Sequence, residues 1–135
     1  MGSFSDYLEN ELLDHVFKTG AYTQPTNIFV ALLNTTPTDA DTGTTLNTSK
    51  EVSGGSYARV TCNTWDAAAS GATENTGAIE FAEATADWGT VTHFAICDHA
   101  TTGNMLGWGA LTVSKDIGTG DTASFAAGDF DVTLD

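Results

Sequence analysis

The chain has 135 residues, a length typical of one domain built around a single hydrophobic core. Its 18 acidic and four basic residues give a formal net charge of -14, and such a surface repels nucleic acid and anionic membranes. Hydrophobic residues make up 41% of the sequence, too many for a disordered acidic segment, so we expect a folded protein without nucleic acid or membrane partners.

The start of the chain predicts one amphipathic α-helix over about residues 4–18. Ser3 is a suitable N-cap, and Gly20 is a suitable C-cap. The segment has neither the length of a membrane span nor the pattern of a signal peptide, so we expect folding in a cytoplasm. The apolar side chains spaced for one face of this helix are Phe4, Leu8, Leu12 and Val16, widened by Leu13 and Phe17.

After Gly20 the pattern changes to short strand-like runs separated by turn residues. Residues 27–34 form an apolar run of strand length, and residues 90–98 are apolar on both faces, as in a central strand. Turn signals every ~8–12 residues are typical of an antiparallel sandwich or barrel. Further strands are predicted at residues 56–65, 79–81, 105–116, 122–125 and 130–134.

These patterns predict a single domain over residues 1–135. The fold is mainly β: an antiparallel β-sandwich or jelly-roll-like domain over about residues 26–135, preceded by the N-terminal α-helix. Residues 35–55 are predicted to form a long polar loop, apolar only at Leu46 and Val52. Loops of this length in compact domains are functional or mobile.

Metal or catalytic chemistry has little support in the sequence. The acids of the 35–55 segment offer oxygen ligands for calcium, but they lack the EF-hand spacing, and a solvated loop is the preferred interpretation. No nucleophile elbow, zinc-protease motif or phosphate loop occurs, so we expect no enzyme activity, no cofactor and no metal. One further cluster has ligand chemistry but no standard zinc spacing: His93, Cys97, Asp98 and His99.

Some single residues allow two interpretations. Arg59 is the only arginine, and we expect it to hold a buried or interfacial ion pair, the alternative being a surface salt bridge. Cys62 and Cys97 are expected to be buried thiols, although adjacent strands would allow a bridge. The aromatic residues are expected in the core or in interfaces, or else on a sugar-binding face: Trp65, Trp88, Trp108, Tyr22 and Tyr57.

Nearly the whole chain resembles a family of small tailed-bacteriophage virion structural proteins, often labelled "phage tail fiber protein". The resemblance implies a virion component made in the host cytoplasm. The segments that carry it most specifically are EVSGGSYARV (residues 51–60), EATADWGTVTHF (residues 83–94) and GDTASFAAGDF (residues 120–130).

The resemblance leaves the place in the virion open. The chain has no collagen, coiled-coil or β-helix repeat from which a fibre shaft is made, so we expect a capsid decoration (cement) protein. Such a protein stabilises the head at junctions of the major capsid protein, here as a homo-trimer. The alternatives are a tail, baseplate or tail-fibre-associated subunit and a glycan-binding host-attachment module.

The candidate contacts of such a subunit lie in three regions. The helix is expected to dock on a neighbour, and the loop at residues 35–55 is expected to reach across a subunit boundary. The turn at residues 84–89 is expected to place an aromatic anchor in an interface. The predicted interface residues are Phe4, Tyr7, Leu8, Arg59 and Trp88.

Overall fold

A computed structural model describes residues 2–134. The protein is mainly β, with antiparallel strand pairs and an N-terminal α-helix, which confirms the predicted fold class, and a second, short helix is added. The elements in chain order are β1 (Ser3–Phe4), α1 (Asp6–Phe17), β2 (Phe29–Leu33), α2 (Gly43–Ser49), β3 (Val60–Thr61), β4 (Ala72–Glu74), β5 (Ile79–Glu80), β6 (Gly89–Cys97), β7 (Met105–Ile117), β8 (Ser124–Phe125) and β9 (Asp131–Thr133).

One five-stranded antiparallel sheet forms the centre of the domain, in the order β1-β7-β6-β2-β3. Strands β2 and β6 lie inside it, as the sequence predicted for β6, and they pair from Phe29 opposite Cys97 to Leu33 opposite His93. Strands that are covered on both faces need apolar residues at every position. The run FVALL of β2 meets this requirement, since four of its five residues are buried.

Separate layers cover the two faces of the sheet. Val30 and Leu32 point to one face, where they join Phe81, Phe130 and the ribbons β4–β9 and β5–β8. Ala31 and Leu33 alternate to the other face, where helix α2 contributes Leu46. The arrangement is sandwich-like on the ribbon face and helix-on-sheet on the other.

Strand β7 contains a wide irregularity at its exposed half. Lys115 lies opposite Val91 and Ala110 lies opposite His93, so residues 111–114 face the single residue Thr92. A bulge of this kind bends the strand and disrupts the regular edge that another strand would need for pairing. The bulge also carries Val113, one of the exposed large apolar side chains.

Helix α1 begins two residues later than the sequence predicted. Ser5, and not Ser3, is the N-cap: its Oγ accepts a hydrogen bond from the Leu8 amide at 3.2 Å and donates one to the Met105 carbonyl. Ser3 instead pairs with β7 in strand β1. The buried Ser5 therefore fixes the helix start to the sheet.

The predicted strand over residues 56–65 was wrong apart from β3. The chain turns sharply before it, where Gly54, Gly55 and Ser56 all have positive φ. Tyr57 and Arg59, which lie within that predicted strand, instead reach back to Glu51. Strand β4 lies where no strand was predicted.

Candidate interaction surface

A buried ion pair connects the segments that surround α2. The side chains of Arg59 and Glu51 are each 1% exposed, and Arg59 Nη2 lies 2.7 Å from Glu51 Oε2. The guanidinium also donates to the carbonyls of Gly43 at 2.7 Å and His99 at 2.8 Å. One side chain thus joins the start of α2, the turn between β6 and β7, and Glu51.

The pKa shifts of the groups in and around this ion pair indicate a structural role. Burial by itself lowers the pKa of Arg59, but the hydrogen bonds to Glu51 outweigh it and hold the pKa above its usual value. Tyr57 donates to Glu51 Oε1 at 2.6 Å, and burial followed by the Glu51 charge raises the pKa of Tyr57. The paired, structural role predicted for Arg59 is confirmed, and its guanidinium is enclosed within the domain instead of lying at the surface.

The polar segment at residues 35–55 is folded, not an open loop. Helix α2 lies within it, capped by reciprocal hydrogen bonds between Thr42 and Thr45. Asp41 accepts hydrogen bonds from the Lys50 ammonium at 2.6 Å and the Thr38 amide at 2.7 Å. Leu46 is fully buried, as its apolar character predicted. The expectation of a long loop without secondary structure was wrong because these local bonds are not visible in a pattern of hydrophobicity.

The acids proposed as calcium ligands point to different partners. Asp39 accepts from the Trp108 indole at 2.8 Å, Asp41 pairs with Lys50, and Glu51 pairs with Arg59. Within residues 2–134, no group of three or more histidine, cysteine or acidic side chains is arranged to hold a metal ion. These carboxylates therefore stabilise the fold of the segment.

The two cysteines are free and buried, as expected for small apolar side chains. Burial raises the pKa of Cys97 to about 12, so its thiol is protonated and unreactive at neutral pH. The nearby histidines do not converge on it: the His93 ring packs against Trp108, and His99 Nδ1 accepts from the Thr102 amide at 3.1 Å.

The tryptophans point their indole N–H groups inward. Trp88 is 4% exposed, donates to the Gly55 carbonyl at 2.9 Å and packs edge-on against Tyr57. Trp65 donates to the Cys62 carbonyl at 2.8 Å. Trp88 is therefore a core residue, which corrects the expectation that it forms an exposed anchor. The turn around it can reach a neighbour only through its other residues.

Helix α1 has a half-buried face and an exposed apolar face. Tyr7 and Leu8 are half-buried and pack against the core, so these two predicted contact residues are engaged within the domain. Phe4, at the end of β1, is half-buried beside Gly107 and lines a groove at the surface. On the outer side of the second half of the helix, large apolar side chains point to solvent. They are Leu13, 57% exposed, Val16, 64% exposed, and Phe17, 82% exposed.

A shallow groove continues this exposed face towards the end of the chain. It lies between Leu12 and Leu13 of α1, strand β1 and the end of β9, and Leu134 at its rim is also largely exposed. The spacing of Leu13 and Phe17 predicted that they widen a core stripe, so this surface was missed. The sequence offered no signal for it, because Leu13 and Phe17 continue the same apolar stripe as Leu12 and Val16.

The charges of the domain leave its outside strongly acidic. Three of the four cations pair with acids of the same chain: Lys18 with Asp14, Lys50 with Asp41 and Arg59 with Glu51. Of the helices described in residues 2–134, none is long and apolar enough to cross a membrane.

Comparison with protein families identifies the class of this compact, acidic domain. Residues 3–133 match the family described as podophage GP4 fiber I protein gp80. The chain belongs to this family. It is accordingly a bacteriophage virion structural protein of the tail-fibre type, as the resemblance implied. A search of the curated proteins found no match.

Proposed function

We propose that the chain is a fibre-associated subunit of the phage tail, a compact domain that joins other virion proteins through surface contacts and performs no reaction. The match of residues 3–133 to a podophage fiber protein carries this proposal, because it covers nearly the whole domain. The fold supports a joining or terminal piece of a fibre, since one sheet with two short ribbons offers no elongated repeat for a shaft.

The absence of catalysis is part of the same proposal. It is supported by the way the charged and aromatic groups are used: Glu51 and Arg59 are buried against each other, and Asp41 holds Lys50. A catalytic acid or base has to face a substrate cleft within hydrogen-bonding reach of the reacting atom. Here these groups stabilise the chain itself.

A second candidate is a capsid decoration protein, which binds junctions of the major capsid protein as a homo-trimer. The compact shape and the anionic surface of the domain favour this alternative, because a subunit on the outside of a DNA-filled capsid gains nothing from a basic surface. The family match gives it less support than the fibre-associated role.

Particles that lack the chain distinguish the two candidates. For a fibre-associated subunit we expect heads that survive heating as well as those of the complete phage, together with poor adsorption to the host. Quantitative gels of the complete phage should then show few copies relative to the major capsid protein. The decoration role would be established instead if particles without the chain adsorb normally but have fragile heads. The complete phage should then contain about as many copies of the chain as of the major capsid protein.

A further inference from the structure

We propose that the outer face of helix α1 is the docking site of this subunit, and that it inserts into an apolar groove lined by basic residues on a different virion protein. This inference rests on the proposed role as a virion subunit and names the kind of partner. The surface, called the α1 patch below, consists of Leu13, Val16, Phe17 and Leu134.

The spacing of the α1 patch is that of a helix anchored in a groove. Leu13, Val16 and Phe17 stand at positions i, i+3 and i+4 of one helix, which places them side by side. Phe17 is the most exposed of them, at 82%. A soluble domain leaves such side chains in water at a cost in free energy, and adjacent ones mark a surface that another protein covers.

The inner side of the same helix shows that the patch is not part of the domain core. Tyr7 and Leu8 pack against the core cluster, and Ser5 ties the helix start to β7. The helix is therefore already anchored through its first half. The apolar residues of its second half contribute to binding and not to folding.

The charge around the patch argues against a second copy of this chain as the occupant. Helix α1 carries four carboxylates, Asp6, Glu9, Glu11 and Asp14, against a single ammonium on Lys18 just after it, and Lys18 lies 3.8 Å from Asp14. Two copies paired through α1 would bring two domains of net charge -14 together. A groove bordered by Lys or Arg neutralises these acids instead.

The size of the patch leads to the same conclusion. A stable pair of proteins buries about 1,600 Å² in total, with about 20–30 residues on each side. Three apolar side chains on one face of a helix, with Leu134 beside them, are too few for a symmetric pair but sufficient as anchors in a concave groove. The partner therefore supplies the concave surface.

Photo-crosslinking in intact phage tests the identity of the partner. Phe17→p-benzoylphenylalanine places a reactive group at the centre of the patch, and the same replacement at Val113 is the control. Val113 is 63% exposed but lies on the β7 bulge. We expect irradiation of the Phe17 variant to link the chain to another virion protein through a segment rich in Lys and Arg. A link to a second copy, or no link beyond that of the Val113 variant, would overturn the inference.

Incorporation into particles gives an independent readout. Phage without the gene are grown in cells that supply either L13S/V16S/F17S or V113S, and particle-bound chain is measured by immunoblot. We expect the triple variant to fall roughly tenfold or more and V113S to remain normal, because only the former loses the anchors. Normal incorporation of the triple variant would contradict the proposal. Should that variant fail to fold, F17S alone is measured in its place.

The two experiments separate this inference from the proposed function. If the chain is present on the tail but Phe17 links to nothing, the docking site is wrong and the fibre-associated role stands. If Phe17 links to the major capsid protein, the docking site stands and the tail position is wrong.

Discussion

At the residue scale, Arg59 holds together a region of the fold that has few other positive charges. Its guanidinium meets a carboxylate and two backbone carbonyls from different segments. Because Arg59 is the only arginine in a chain with many acidic residues, the sequence predicted an ion pair, but not which acid forms it. Glu51 stands eight residues earlier, and only the sharp turn at residues 54–56 brings the two together.

Replacing Arg59 tests this role. We expect Arg59→Met to lower the free energy of unfolding by about 3–5 kcal/mol, because it leaves Glu51 buried without a counter-charge. Arg59→Lys should restore only part of this, since an ammonium cannot reproduce the planar fork. Urea unfolding monitored by tryptophan fluorescence measures the free energy of unfolding of both variants. Lys115→Met is the matched control, since Lys115 is exposed, and a loss there as large as that of Arg59→Met would contradict the assigned role.

Asp41 makes the stability of the α2 segment depend on pH. Burial opposes ionisation of its carboxyl, but hydrogen bonds from Lys50, Thr38 and Thr45 outweigh this and lower its pKa below the usual 3.8. A lowered pKa adds stability above the unfolded-state value, and that stability is lost as the pH falls through the folded-state value.

We therefore expect Asp41→Asn to destabilise the protein by about 1 kcal/mol at pH 7, and the difference from the natural chain to shrink as the pH falls through the folded-state pKa of Asp41. Thermal unfolding from pH 7 to pH 2.5 measures this. Asp66→Asn, at an exposed position, is the control. A difference between Asp41→Asn and the natural chain that stays constant with pH would contradict the role of Asp41.

At the element scale, the long strands were predictable, and the short strands β5, β8 and β9 also lie where the sequence predicted strands. Strands β2 and β6 are largely apolar because they lie inside the sheet, whereas β7 is apolar mainly in its first half. Strands β1 and β4 have two and three residues and exist only through distant partners, which leave no local pattern. Helix α2 was hidden because its threonines favour strands, while its capping box and Leu46 hold it as a helix.

The two ribbons depend on a buried asparagine. Asn75 is 1% exposed, and its amide donates to the carbonyls of Gly77 and Ala126 at 2.7 Å and 3.0 Å. Its Oδ1 accepts from the Phe130 amide at 2.9 Å. These three bonds connect the residues that follow β4 and β8 with the residues that precede β5 and β9.

We expect Asn75→Ala to cost about 1–3 kcal/mol, because the buried Phe130 amide loses its acceptor and the carbonyls of Gly77 and Ala126 each lose a donor. Hydrogen exchange followed by mass spectrometry should show faster exchange in β4 and β9 than in β6. Asn10→Ala, at an exposed helix position, is the control and should change stability by less than about 0.5 kcal/mol. Unchanged exchange in both ribbons would exclude this role for Asn75.

At the scale of the whole molecule, the acidic surface and the α1 patch describe a subunit that binds by contact. Composition predicted the charge, and the spacing of apolar residues predicted the helix, but neither separated the half-buried face of α1 from the exposed one. That distinction depends on where Ser5 fixes the helix start, which is a bond to Met105 and cannot be inferred from spacing. The candidate docking surface therefore became visible only in three dimensions.

An asymmetric cryo-electron microscopy reconstruction of the complete virion would locate the domain and its α1 patch in one experiment. We expect density for the five-stranded domain on the tail or its fibres, with the outer face of α1 covered by another protein. Density for this domain across the head lattice, or an α1 patch that faces solvent, would contradict this expectation.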